Sequence, residues 1–146
     1  MASMLGGCSC GAVRYSLSSA PFDAGWCHCR TCQLTSGGPA MAFATVPIRH
    51  YRIERGAEII KRRASSSFGH RTFCKECGSP LSIQVDYQPE TIDLPIATLD
   101  EPDAVVPEFH IFWSSKVSWF PPDDDLPTFE RFRPNTVGLD RTEPPE

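Results

Sequence analysis

Alternation of hydrophobic and polar residues is the main pattern along this chain. Val13, Tyr15 and Leu17 alternate with Arg14 and Ser16, which is typical of a β-strand with one buried face. The same alternation, or a short apolar run, predicts further short strands over residues 41–46, 51–55, 59–63, 68–73, 81–85, 91–99 and 108–113. Pro95 indicates an edge or a bulge in the strand predicted over 91–99, because proline cannot donate to a strand ladder.

Helical patterning is weak by comparison. A 3.6-residue period does not extend over ten or more positions, and only a turn or two of helix is expected at residues 29–36 and near 100–105. Fourteen prolines among 146 residues also disfavour long helices. The sequence therefore predicts a mainly β, single-domain fold built from many short strands.

Composition narrows the class of protein. Hydrophobic residues make up 40% and charged residues 22% of the chain, as in a globular protein rather than a disordered one. No apolar run approaches the roughly 20 residues of a membrane span, so no membrane association is expected. The net charge of −4 disfavours nucleic acid as a partner. The basic run Lys61–Arg63 is the local exception, and it is either a solvated strand face or a small anion site.

Seven cysteines are the unusual feature, because an odd number cannot all pair within one chain. The first seventeen residues lack the pattern of a secretory signal, so we expect a cytoplasmic protein. In that reducing compartment, clustered cysteines are metal ligands or reactive thiols more often than disulfides.

The cysteines form three clusters: Cys8/Cys10, Cys27/Cys29/Cys32 and Cys74/Cys77. Such close spacing lets one metal ion collect neighbouring thiolates in a tight turn, and Gly11 and Gly78 directly follow the two pairs. The two pairs together would make a closed four-thiolate zinc site of the structural type. The trio would leave a fourth coordination position open, which is the pattern of catalytic zinc.

Other interpretations of the trio remain open on spacing alone. A histidine could complete a second structural site, with His28, His50, His70 and His110 as candidates. Cys27 and Cys29 could instead be redox-active thiols beside a single zinc ion, and the clusters could pair differently.

Three segments carry a resemblance to a known family. They are residues 7–15, with Gly-Cys-Ser-Cys-Gly at their start, residues 27–32, and residues 73–81 around Cys-Lys-Glu-Cys-Gly-Ser-Pro. Together with Leu99-Asp100 and residues 107–111, they resemble the glutathione-dependent formaldehyde-activating enzymes, a family that includes the centromere protein V-like proteins. The resemblance spans residues 5–132, which we take as one zinc domain, and it leaves 133–146 as a polar tail that we expect to be mobile. Phe129 and Phe132 are expected to dock on the core.

This resemblance implies a β-tent fold with two zinc ions per chain. Cys8, Cys10, Cys74 and Cys77 match the family's structural ligands, and Cys27, Cys29 and Cys32 match its catalytic ligands. It also implies a carbon–sulfur lyase resembling S-(hydroxymethyl)glutathione synthase. Such an enzyme adds a thiol, with glutathione as co-substrate, to formaldehyde or a related small aldehyde.

Further roles follow from that implied reaction. Glutathione carries two carboxylates, and Arg30, Arg63 and Arg71, with Arg62, are the predicted cationic contacts. His28 and His110 are candidate proton donors by their ordinary pKa range. Trp26, Phe73 and Trp113 could form a wall of the pocket, although core packing suits them as well. The alternative function is a non-catalytic, zinc-stabilised binding module of the same fold; a thiol-redox enzyme would need a reactive cysteine outside the metal sites.

Overall fold

A computed structural model describes residues 3–120 and 122–133 of the chain. Its strands form two sheets. The small sheet has the order β1-β2-β5 and is antiparallel, with β1 (Met4–Gly7), β2 (Arg14–Leu17) and β5 (Tyr51–Arg55). The large sheet has the order β10-β3-β4-β9-β8-β7-β6. Its strands are β3 (Phe22–Cys27), β4 (Met41–Pro47), β6 (Ile60–Ala64), β7 (Gly69–Cys74), β8 (Pro80–Val85), β9 (Thr91–Pro95) and β10 (His110–Ile111).

Helices are short in the described part of the chain. The α-helix α1 (Arg30–Ser36) follows β3 and ends at Gly37 in the left-handed region. Single 3-10 turns occupy Ile48–His50, Ala57–Ile59, Ile96–Thr98, Pro102–Ala104 and Trp113–Ser115. No described helix is long and apolar enough to cross a membrane.

The large sheet has a different role on each of its two faces, because side chains alternate along a strand. Even-numbered residues such as Ala44, Ile92 and Leu94 are buried in the main core, where they meet Tyr15 and Leu17 of the small sheet. Odd-numbered residues of β3, β4, β7, β8 and β9 face the other way and line a cavity. The small sheet therefore packs against one face of the large sheet, and the opposite face of the large sheet lines the cavity.

The mainly β fold predicted from the alternation is confirmed, and each predicted strand has a counterpart. Two strands were missed, β1 and β3. The strand predicted over 91–99 ends early, at Pro95, and continues as a 3-10 turn. The strand predicted over 108–113 is only two residues long, because Phe112 takes a positive φ of 54°.

The end of the described chain returns to the large sheet. Phe129 packs edge to face on Phe109, with ring centroids 6.4 Å apart, and Phe132 packs on Phe112 at 4.8 Å. The predicted docking of these two phenylalanines is confirmed. The tail predicted to be mobile lies outside the described residues except for Arg133, and the domain boundaries stay predictions.

Candidate metal centres and active site

Four cysteines meet where the end of β7 approaches the loop after β1. The Sγ atoms of Cys8, Cys10, Cys74 and Cys77 all lie within 4.8 Å of one another. Cys8 Sγ is 3.5 Å from Cys10 Sγ, which is 3.8 Å from Cys74 Sγ. Tetrahedral zinc with bonds of about 2.3 Å separates its sulfur ligands by about 3.8 Å. The four thiols therefore fit a closed zinc site, with the pairing that the sequence predicted.

Both halves of this cluster have the same local structure. The N–H of Gly11 donates to the carbonyl of Cys8 at 3.1 Å, and the N–H of Gly78 donates to that of Cys74 at 2.7 Å. The two glycines have φ of 78° and 80°, in the left-handed region that other residues rarely adopt. Glycine thus turns the chain sharply after each pair and keeps its sulfurs together.

Hydrogen bonds to sulfur favour the thiolate form of two members of this cluster, Cys8 and Cys77. The N–H of Val13 donates to Cys8 Sγ at 3.3 Å, and the Ser79 hydroxyl lies 3.3 Å from Cys77 Sγ. The Ser79 hydroxyl and amide lower the pKa of Cys77 to about 5. Ser79 Oγ also accepts from the N–H of Ser9 at 3.0 Å, which ties the two halves together.

The other three cysteines meet where β3 passes into α1. Cys27 is the last residue of β3, Cys29 is the N-cap of α1, and Cys32 lies in its first turn. Their Sγ atoms lie within 4.8 Å of one another, and Cys29 Sγ accepts the N–H of Cys32 at 3.3 Å. One strand end and one helical turn thus bring the three thiols together without any distant segment.

Within the trio, Cys29 carries negative charge readily, whereas hydrogen bonding to Cys29 and burial raise the pKa of Cys27 and of Cys32. Hydrogen bonds from the Cys27 and Cys32 thiols lower the pKa of Cys29 far below its ordinary value, and the Arg71 charge acts in the same direction. Arg71 Nη2 donates to Cys32 Sγ at 3.3 Å. Clustered sulfurs beside a fixed guanidinium form a soft, anionic donor set that fits zinc.

No histidine of the described residues joins either cluster, although His28 lies between Cys27 and Cys29 in the sequence. All four are in the described part of the chain, and none brings a ring nitrogen into either group of sulfurs. His28 Nε2 and His110 Nδ1 are 2.8 Å apart, and His110 Nε2 is 2.9 Å from a carboxylate oxygen of Asp124. Burial, with the nearby His110, lowers the pKa of His28 to about 4, so this imidazole is neutral near pH 7. Neither His28 nor His110 lines the cavity, although both were candidate proton donors.

A cavity of about 240 Å³ opens beside the trio on the odd-numbered face of the large sheet. Cys27, Cys29 and Cys32 line it, while the four-thiol cluster does not. Its walls include the aromatic residues Phe43, Phe68, Phe109, Phe112 and Phe132. Trp26, Phe73 and Trp113, which the sequence suggested as a wall, are not among its lining residues. Strand alternation could have indicated only Phe43, on β4, because the other four phenylalanines lie outside the strands.

The predicted arginines separate into two groups. Arg71 on β7 lines the cavity and is 8% exposed. Arg30 and Arg63 do not line it: Arg30 donates to Gln33 Oε1 at 3.1 Å, and Arg63 donates to Thr35 Oγ1 at 3.4 Å. Lys61, Arg62 and Arg63 are all exposed on β6, as expected of a solvated strand face.

A mainly β protein with a closed four-thiol cluster and a three-thiol cluster open to a cavity has the fold and donor sets of the metal-thiolate class of proteins. The chain matches the family model of the glutathione-dependent formaldehyde-activating enzyme over residues 3–115. It belongs to that family. The predicted family membership is thereby confirmed.

Individual relatives agree with this assignment. The chain is 30% identical over 122 residues to a putative glutathione-dependent formaldehyde-activating enzyme of Halomonas elongata, covering 78% of this chain and 77% of that one. It is 34% identical over 76 residues to an uncharacterized lyase of Schizosaccharomyces pombe, covering 52% of this chain. The match spans 53% of that relative's length. Family and relatives together support a lyase.

A solved structure supports the fold alone. A crystal structure of a Rhodobacter sphaeroides protein superposes with a TM-score of 0.57 at 24% identity, covering 86% of this chain and 99% of that one.

Proposed function

We propose that this protein is a zinc-dependent carbon–sulfur lyase that adds the thiol of glutathione to formaldehyde or a related small aldehyde. The observation that carries the proposal is the contrast between the two clusters. Four thiols close one site on itself, whereas the three of the other line a cavity and, among the described residues, have no fourth ligand. An open position is what a substrate thiol needs.

In this reaction a C–S bond forms and the C=O π bond breaks. The thiol proton ends on the former carbonyl oxygen, and no electrons are exchanged with another reactant. A zinc ion held by the trio would supply Lewis acidity that favours the thiolate over the thiol. The chain itself holds both reactants in one place and replaces water around them with apolar walls.

Glutathione would extend out of the cavity, since a tripeptide is larger than the space beside the trio. Arg30 and Arg63 lie outside the cavity, and we propose them as contacts for the glutathione carboxylates. The reducing cytoplasm that the sequence favours would keep the cysteines reduced and would supply the thiol.

Replacing one cysteine of the trio tests this proposal. We expect Cys29→Ser to lose one of two zinc ions and to abolish the enzyme's acceleration of adduct formation, while the four-thiol site and the fold remain. Zinc content by elemental analysis, melting temperature and exchange NMR of the adduct would be measured on the same preparation.

Two results would contradict it. Global unfolding of Cys29→Ser would show that the trio is structural. A wild-type protein with two zinc ions and no acceleration of any thiol–aldehyde addition would favour the zinc-stabilised binding module.

A further inference from the structure

The cavity beside the trio is larger than formaldehyde requires. An apolar cavity of about 150 Å³ in another protein is enough to bind benzene. The cavity here measures about 240 Å³, which leaves room for an aromatic ring and a few further atoms. Formaldehyde has two heavy atoms, and the sulfur and methylene group of the glutathione cysteine add two more, so together they would leave most of this volume unfilled.

The surroundings of that volume are apolar and aromatic. Phe43 and Phe109 meet edge to face, with centroids 5.9 Å apart, and both line the cavity. Ile83, Val85 and Phe68 also line the cavity. Aromatic edges and faces favour an apolar guest, especially another ring.

Charges in the cavity do not favour an anionic guest. Two guanidiniums, those of Arg71 and Arg133, line it, and so do two carboxylates, those of Asp23 and Asp93. Arg133 Nη1 donates to Asp23 Oδ1 at 3.0 Å. With this balance, and three sulfurs beside it, no net positive charge is left to hold a carboxylate.

One polar feature points to a ligand atom. Arg71 is 92% buried, and one of its nitrogens, Nη2, donates to Cys32 Sγ. Its Nε and Nη1 are buried and have no hydrogen-bond partner among the described residues. Leaving buried donors unpaired is costly, so these N–H groups favour an acceptor in the cavity. Because Arg71 contacts a sulfur of the trio, an acceptor there lies next to the carbon that a thiol would attack.

We propose that the aldehyde is uncharged and carries an apolar, ring-sized group, with its carbonyl oxygen on Arg71 and that group against Phe43 and Phe109. The proposal rests on the function proposed above and names its substrate class. The sulfur adds to the carbonyl carbon, the π electrons move to the oxygen, and the thiol proton reaches that oxygen through water. Arg71 is then a catalytic residue, because its N–H groups stabilise the negative charge as it develops.

An aldehyde series tests the substrate class. With glutathione as the thiol, the acceleration over the uncatalysed reaction would be measured by exchange NMR for formaldehyde, phenylacetaldehyde and phenylacetaldehyde with a 4-carboxylate. We expect phenylacetaldehyde to be accelerated at least tenfold more than either of the others. Equal acceleration of all three, or a preference for formaldehyde, would overturn the proposal and leave the proposed function standing.

Binding provides a readout that does not depend on catalysis. 2-Phenylethanol has the same skeleton but cannot add a thiol. We expect it to shift the methyl NMR signals of Ile83 and Val85 saturably in the zinc-loaded protein, with no shift at the exposed Ile48. If the signals of Ile83 and Val85 do not shift, the proposal is overturned. This result does not depend on whether the protein catalyses thiol addition.

Filling the cavity tests the position of the apolar group. Ile83→Phe should lower the ratio of phenylacetaldehyde to formaldehyde acceleration at least tenfold, and Val85→Phe serves if the first variant does not fold. Ile48→Phe is the matched control, because Ile48 is 41% exposed and does not line the cavity. An unchanged ratio in the cavity variants would contradict the assignment.

Removing the guanidinium tests the role of Arg71. We expect Arg71→Ala to retain its zinc and to lose acceleration about 10²–10³-fold, as expected for one oxyanion donor. Added ethylguanidinium should restore part of the rate, which a purely structural role would not allow. Arg52→Ala, at an exposed arginine of β5, is the control. Full activity of Arg71→Ala, or no rescue despite retained zinc, would overturn the assignment.

Discussion

At the scale of single residues, Tyr15 shows how a buried polar group couples stability to pH. Its ring is fully buried and stacks on Tyr51, with centroids 5.2 Å apart. Its hydroxyl lies 2.7 Å from Thr98 Oγ1, which donates to the carbonyl of Pro95. The Tyr15 O–H is therefore the donor to Thr98. Burial raises the pKa of Tyr15 to about 12, although the bond to Thr98 acts in the opposite direction.

Alkaline solution should therefore destabilise the fold through Tyr15. In the unfolded chain the phenol ionises near pH 10, whereas in the folded chain it keeps its proton up to about pH 12. The contribution of Tyr15 to the free energy of unfolding is complete below pH 10. It falls as the pH rises to 12, because the unfolded state then binds fewer protons than the folded state. For this group the fall amounts to roughly 2–3 kcal/mol.

Tyr15→Phe removes that dependence. Near pH 8 the variant should be about 1 kcal/mol less stable, for the lost hydrogen bond. Near pH 11.5 the difference from the wild type should shrink or reverse. The free energy of unfolding in urea, followed by circular dichroism at both pH values, checks this. An equal alkaline loss in both proteins would contradict the assignment.

The cysteines and Arg71 show which site residues a sequence reveals. Cys27, Cys29 and Cys32 are close along the chain, so spacing alone grouped them correctly. Arg71 is 39 residues from the sulfur it contacts. It was named only as a glutathione contact, because nothing in the sequence indicates which strand lies beside α1.

At the scale of elements, β3 ends at Cys27 of the trio, and the packing of this strand depends on Gly25. A Cβ added to Gly25 would lie 2.6–2.8 Å from ring atoms of Phe109, which is closer than side chains allow. Phe109 is buried and packed against Phe43 and Phe129, so its ring has little room to move. Gly25 lets this wall of the cavity lie directly on the sheet.

Gly25→Ala should lower the free energy of unfolding by about 1–3 kcal/mol, as overpacking in a core does. Gly38→Ala is the matched control, since a Cβ there meets nothing closer than 3.7 Å. The control should stay within about 0.5 kcal/mol of the wild type. Urea denaturation of the three proteins gives the comparison, and equal stability of the two variants would contradict the packing argument.

The same glycine helps to explain why β3 was not predicted. Asp23 and Gly25 occupy positions of the strand where a buried face would carry apolar residues. Asp23 lines the cavity, and the absence of a side chain at Gly25 leaves room for the ring of Phe109, so neither position carries the apolar residue that alternation would predict. Strands β2 and β5 pack on the core and do not line the cavity, and they followed the pattern closely.

At the scale of the whole molecule, the four-thiol cluster joins parts of the chain that are far apart in sequence. It connects the loop after β1 with the end of β7, a separation of 64 residues between Cys10 and Cys74. Closing so long a loop with a metal removes many conformations from the unfolded chain. Structural zinc also contributes its binding free energy directly to folding.

Cys74→Ser should accordingly cost several kcal/mol and lower the melting temperature far more than Cys29→Ser. In zinc-finger peptides the apparent binding free energy of structural zinc is about 10–16 kcal/mol. Differential scanning calorimetry of both variants, with zinc content measured in parallel, tests the difference. A similar melting temperature for the two would show that the clusters do not divide into structural and reactive sites.

Strand β7 carries Cys74 at its end and Arg71 three residues earlier, beside a sulfur of the trio. Fixing the end of this strand therefore also fixes the guanidinium against the second set of sulfurs. With zinc in both clusters, we expect this strand to couple the two sites: occupancy of either would raise the affinity of the other, and by the same factor, because a coupling free energy is a single quantity. A cell that limits zinc would then hold molecules that are fully loaded or empty more often than molecules with one ion.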